Sequence, residues 1–176
     1  PFDVSASACT WREGVLKSIP GYEPPGKGDP EKVKAAAEII NTADKPVLYI
    51  GGGVVSSGAA DLVKQLAERA NIQVVHTMMA KGAFPETHAL SMGMPGMHGM
   101  AYASHALQHA GLIICIGARF DDRVTGDPRK FAPEAKVIHI DIDPAEINKV
   151  RRADVGIAGD ARLVLKHPQP ALPAEL

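Results

Sequence analysis

The sequence predicts an α/β domain built on a doubly wound parallel sheet of five or six strands, with helices on both faces. Short apolar runs of strand length at 46–50, 72–76, 112–116, 137–140 and 155–157 alternate with segments of helical periodicity. The run Leu112-Ile113-Ile114-Cys115-Ile116 is uniformly apolar, as a parallel strand covered on both faces must be. Glycine is frequent at the strand exits, and 17 glycines against 5% aromatic residues suit tight strand-to-helix turns better than an aromatic-cored sandwich.

In chain order, residues 1–28 read as an irregular linker, since Pro20, Gly21, Pro24, Pro25, Gly26 and Gly28 break any helix; Trp11 and Tyr22 are candidates to pin it to the surface. The domain proper is expected over 29–166. Asp29-Pro30 supplies a cap and a first-turn proline, and Val33, Ala36, Ala37 and Ile40 fall on one helical face, so a helix is predicted over 30–42. After the first strand come Gly51-Gly52-Gly53 and a helix expected to start near Ser57, with Leu62, Val63, Leu66 and Ala67 inward. The second strand exits into Thr77-Met78-Met79. A flexible, methionine-rich loop at 93–99 then precedes a helix that buries Ala103, Ala106, Leu107 and Ala110. Asp143-Pro144-Ala145-Glu146 resembles a capping box and predicts a helix to about Lys149. A last helix is expected near 162–165, and the proline-rich tail 167–176 reads as a linker stub.

A length of 176 residues fits one domain, and 19 basic against 20 acidic residues with no basic block argue against nucleic acid or an anionic membrane as partner. No apolar run approaches the ~20 residues that span a bilayer, and Cys9 and Cys115 form no disulfide framework, so a reduced, cytoplasmic setting is expected. The start at Pro1, without an initiator methionine, reads as a domain cut from a longer chain.

Ligands of such sheets bind beyond the carboxyl ends of the strands, where the informative residues lie. The segment 117–126, Gly-Ala-Arg-Phe-Asp-Asp-Arg-Val-Thr-Gly, places two arginines and two aspartates at the exit of a buried strand. They call for mutual ion pairs or a polyanion, and guanidinium suits diphosphate. Asp141, at the end of the fourth strand, can accept from ribose hydroxyls. Asp143 and Glu146 read first as helix-capping residues. The glycine triplet serves equally a tight turn or the close approach of a ligand, and a unit of strand, glycine turn and helix can cradle phosphate. It does not match the nicotinamide fingerprint, because Ser56 stands at the third glycine position and no acidic residue follows the second strand. The methionines around 78 and 94 suit core filling or contact with a flat aromatic ligand. His105 and His109, at i and i+4, lack the glutamate and third ligand of a zinc site, so no metal is expected, and no catalytic constellation is present.

Met97-His98-Gly99, the run 117–126, and His139-Ile140-Asp141-Ile142-Asp143-Pro144-Ala145-Glu146-Ile147, in this order, resemble the central domain of acetolactate synthase catalytic subunits, over about 22–165. The resemblance implies a Rossmann-like domain of the thiamine-diphosphate enzymes that carries FAD in a structural, non-redox role. The full enzyme would join pyruvate to pyruvate or 2-ketobutyrate in branched-chain amino-acid biosynthesis, with thiamine diphosphate and Mg2+ held by flanking domains of the same polypeptide. Partners implied are those domains, a second copy of the chain and a regulatory small subunit. Carried over by position, FAD would meet Gly51, Gly52, Gly53, Thr77, Met78, Met97, His98, Gly99, Gly117, Arg119, Phe120, Asp121 and Val124. Asp141 and Ile142 would hold the adenosine end, with Gly159 and Asp160 closing it and Glu146 a further cofactor-binding candidate, while Asp122 and Arg123 would face the flanking domains. The Gly-Asp-Gly and Asn-Asn elements of a thiamine-diphosphate site and its activating glutamate do not occur, so this stretch alone is expected to be inactive. The competing expectation is a scaffold that binds ADP, a CoA nucleotide or nothing, in another thiamine-diphosphate carboligase or decarboxylase.

Overall fold

The computed structural model describes residues 3, 6–10 and 23–166. Its centre is a six-stranded, all-parallel sheet of strands β1 (Pro46–Ile50), β2 (Gln73–His76), β3 (Ser91–Gly93), β4 (Leu112–Ile116), β5 (Lys136–Asp141) and β6 (Val155–Ala158). Their order is β3-β2-β1-β4-β5-β6. The chain therefore winds outward from β1 in one direction, returns, and winds outward from β4 in the other, which makes the boundary between β1 and β4 a topological switch point. The α/β class and the parallel sheet agree with the sequence.

Alternation along each strand divides the core in two. Leu48, Ile50, Val74, Ile114, Ile116, Ile138, Ile140 and Ile157 meet helices α1 (Pro30–Thr42), α3 (Ala60–Arg69) and α6 (Ala161–Leu165) on one face. Val47, Tyr49, Val75, Ile113, Cys115 and Val137 meet α4 (Ala101–Gln108), Phe120 and Phe131 on the other. All five residues of β4 are buried, as its uniform hydrophobicity requires.

Helix α1 starts as expected: the Asp29 carboxylate accepts from the Glu31 N–H, and Pro30 occupies the first turn. Three expectations are corrected. The helix after the glycines begins earlier, as a short α2 (Gly52–Ser56), and is broken around Gly58 (φ +63°) before α3 starts. The segment after Asp143 is a run of turns rather than a helix. Asp143 Oδ1 does accept from the Ala145 N–H, but the N–H that Glu146 would need for a capping box goes to Asp141 Oδ1, and Glu146 pairs with Lys149 instead. Finally, the loop at 93–99 is tied down, since Met97 N–H donates to the Arg123 carbonyl, Met100 N–H to the Met94 carbonyl and Gly96 N–H to Ser104 Oγ.

Residues 23–28, the described end of the expected linker, also pack: Gly26 carbonyl accepts from the Asp160 N–H, and a Cβ at Gly28 would press on Ile157 and Val164. Trp11, Tyr22 and the tail 167–176 lie outside the described residues.

Candidate functional site

The functional candidates converge where the carboxyl ends of β1, β2 and β4 meet. Gly51 leaves β1 and donates to Ile116 O; Gly117 leaves β4 at φ +57°, and its carbonyl accepts from the Gly53 N–H. The two exits touch. A Cβ on Gly51 would lie 2.2 Å from Gly117 O, and one on Gly53 2.6 Å from Gly117 Cα. Glycines 51 and 53 are therefore demanded by the contact between neighbouring strand exits. Gly52, whose added Cβ would meet only Met79, its Cβ at 3.2 Å and its carbonyl oxygen at 3.9 Å, faces the open side.

That open side is a cavity of about 400 Å³, within the size range of small-molecule sites. Gly51, Gly52, Gly53, Thr77, Met78, Met97, His98, Gly117, Arg119, Asp121 and Val124, grouped in the sequence only by the resemblance, all line it. Tyr49, Met79, Met94, Pro95, Ala118 and Arg123 line it as well. Of these, the tyrosine in the otherwise apolar β1 run is a signal that sequence reasoning left unused. Met78, Met79 and Met97 are 69%, 76% and 74% exposed, which rules out core filling for these three. Thr77 Oγ1 is buried in the wall without a hydrogen-bond partner.

A second cavity of about 320 Å³ opens on the β5 side of the switch point. Asp141, Ile142, Gly159 and Asp160 line it with Ser56, Ser57, Ile140 and Ala161, and it shares Gly53 and Gly117 with the first. Asp160 is also the cap of α6, accepting from the Leu163 N–H. The remaining candidates stand apart. Phe120 is buried between Tyr49, Phe131 and His139. Gly99 sits in the 94–100 turn, where a Cβ would strike Met94 O. Glu146 is engaged with Lys149 at 2.6 Å, outside both cavity walls.

The charges of 119–123 are internally paired. Arg119 and Arg123 both reach Asp121 at 3.0 Å, and Arg123 lies 3.6 Å from Asp122. Asp121 is moreover the cap of α5 (Asp122–Thr125). Hydrogen bonds from the Arg123 N–H and guanidinium hold its carboxyl below the usual carboxylate range, and Asp121 in return raises Arg123. Arg119 and Asp121 nevertheless lie on the cavity wall, where the exposed guanidinium remains available to an anion. Among the described residues no group of three or more metal-ligating side chains occurs, and no helix is long and apolar enough to cross a membrane.

The sequence model described as "Thiamine pyrophosphate enzyme, central domain" matches residues 33–167, which takes in the whole sheet. The chain belongs to this family. As a thiamine pyrophosphate enzyme central domain it is 52% identical over 165 residues to an acetolactate synthase of Mycobacterium bovis, covering 94% of this chain and 27% of that protein. It is 54% identical over 147 residues to an acetolactate synthase large subunit of Corynebacterium glutamicum (84% and 24%), and 53% identical over 154 residues to a probable acetolactate synthase large subunit of Methanocaldococcus jannaschii (88% and 26%). This central domain thus spans about a quarter of the length of these relatives.

Proposed function

We propose that the chain is the FAD-holding central domain of an acetolactate synthase large subunit, with FAD lying across the β1/β4 switch point in a structural role. The observation that carries the reading is the pair of neighbouring cavities that share Gly53 and Gly117 in their walls, one lined by exposed methionines and the other by Asp141. FAD, when bound, supplies a flat tricyclic ring, a diphosphate and an adenosine. Met78, Met97 and their neighbours suit the ring through soft, adaptable contacts. Arg119 suits the diphosphate, and Asp141 the ribose. The unpartnered Thr77 hydroxyl, buried in the wall, has a hydrogen bond still to make, which fits a polar ligand in this cavity.

In this reading the ketoacid condensation, thiamine diphosphate and Mg2+ belong to other parts of the polypeptide. Asp122, 84% exposed, and the methionines at the cavity mouth face those parts.

The test is a titration of the intact protein with FAD, followed by flavin fluorescence. Arg119 already has Asp121 as partner, so its loss removes only the difference between two ion pairs. Arg119→Ala is expected to weaken FAD by ~1.5 kcal/mol, roughly tenfold in Kd. An unchanged Kd would leave Arg119 as a partner of Asp121 only.

A further inference from the structure

Directly beneath the exit of β4, three side chains form a polar row across an otherwise apolar sheet face. Tyr49 of β1, Cys115 of β4 and His139 of β5 are paired in register, Tyr49 with Cys115 and Cys115 with His139. All three are buried, at 0%, 0% and 1% exposure. Each meets a carbonyl of the same two-residue segment. The Tyr49 hydroxyl donates to Arg119 O at 3.3 Å, the Cys115 thiol to Ala118 O at 3.0 Å, and His139 Nε2 lies 3.0 Å from Ala118 O. A carbonyl oxygen can only accept, so the proton of neutral His139 sits on Nε2, and the atom without a partner is the bare Nδ1. Phe120 then packs edge-on against the His139 ring at 5.3 Å and tilted against Tyr49 at 5.9 Å.

Two consecutive carbonyls and the following ring are thus fixed from below, while the flanking Arg119 and Asp121 side chains line the larger cavity above. Burial disfavours the charged forms: it raises the Tyr49 and Cys115 groups well above their usual values, so hydroxyl and thiol keep their protons, and it lowers His139, so the imidazole stays neutral with its single N–H on Nε2. Apolar residues at these positions would pack the sheet equally well but leave both carbonyls without their side-chain donors.

We propose that Tyr49, Cys115 and His139 are positioning residues that set the Arg119–Asp121 pair in the cofactor cavity by holding the carbonyls of 118 and 119. The proposal rests on the reading that this cavity holds FAD. His139 and Cys115 lie outside the wall of this cavity, so they reach a ligand there through the loop; His139 Nε2 also lies 3.9 Å from Asp141 Oδ2 in the second cavity's wall, so Cys115 is the cleaner probe, and Tyr49 touches the first cavity itself.

The experiment is a double-mutant cycle in the intact protein, with FAD affinity by flavin fluorescence and thermal midpoint without FAD as separate readouts. His139→Leu is expected to weaken FAD roughly three- to tenfold, within the range of coupling between contacting groups. His139→Gln, which keeps an N–H near the Nε2 position, is expected to recover most of the loss. In an Arg119→Ala background His139→Leu should leave the FAD Kd unchanged while still lowering the thermal midpoint. Equal weakening in both backgrounds, or none in either, overturns the positioning role and leaves the row as sheet packing. Should His139→Leu fail to fold, Cys115→Ala carries the same cycle, with Cys115→Ser as the rescue. A wild-type protein that binds no FAD refutes the reading of the cavity and this role with it; wild-type binding with additive effects refutes the role alone.

Discussion

At the scale of single residues, the charged segment at the exit of β4 makes the mutual ion pairs that its sequence left open beside a polyanion, and keeps Arg119 exposed on a cavity wall. Two arginines and two aspartates invite a polyanion, yet Asp121 alone accepts from both guanidinium groups, so the segment is satisfied without one. What the sequence could not show is that the pairing happens on a cavity wall, because that depends on Met97 and Gly96 closing against Arg123 from a distant loop. His139 is the residue whose titration should be visible. Burial lowers its pKa in the folded protein from the ordinary 6.5, while in the unfolded chain it titrates normally. Between those two values the unfolded state binds more protons, so the contribution of neutral His139 is complete above about pH 6.5 and is lost as pH falls towards its folded value. Thermal unfolding between pH 7.5 and 5 should therefore show a midpoint that drops with acidity, and a shallower drop in His139→Gln. Parallel curves for the two proteins would show that His139 does not carry the effect.

At the scale of elements, strands and helices with strong periodicity were legible, and those made by their neighbours were not. The bounds of α1 follow from Asp29, Pro30 and the Val33 face, all local signals. Strand β3 is three residues, Ser91–Gly93, with no apolar run; it exists because it pairs with β2, across a register shift at Val74/Val75. The helix expected after Asp143 fails because Asp141 takes the N–H that a capping box requires, a competition between residues two apart that a motif scan does not weigh. The glycine triplet divides by position in a way that spacing alone could not reveal. Since a Cβ on residue 51 would collide with the backbone at 117 and 118, Gly51→Ala should destabilise the domain by about 2–3 kcal/mol, at the upper end of overpacking effects. Gly52→Ala makes a tight contact with Met79 Cβ at 3.2 Å but no backbone collision, and gains helix propensity, so its effect should stay within about 1 kcal/mol. Urea unfolding of the two variants measures both, and equal losses would contradict the strand-exit contact as the reason for the glycines.

At the scale of the whole molecule, the strand order decides where a ligand can lie. The two winding directions separate at β1 and β4, leaving a crevice whose halves meet at Gly53 and Gly117. Alternating strands and helices announced such a crevice, but not that it would consist of two cavities of different character, since Asp141 and Met97 come from opposite winding halves. This composition separates FAD from a smaller nucleotide. A dinucleotide that uses both halves combines the contacts of the Asp141 side with those of the methionine side, whereas ADP reaches only the former together with the diphosphate groups. FAD should then bind the intact protein at least ~30-fold more tightly than ADP, about 2 kcal/mol, as judged by calorimetry. Saturating ADP should displace FAD completely, because both would need the same region around Gly53 and Gly117. At a hundredfold excess over its Kd, FAD should stabilise the fold by ~2.7 kcal/mol, a rise of several degrees in the thermal midpoint. Equal affinities for FAD and ADP would mean that the methionine cavity makes no useful contact with the flavin, and would favour a nucleotide-binding scaffold over a flavin domain.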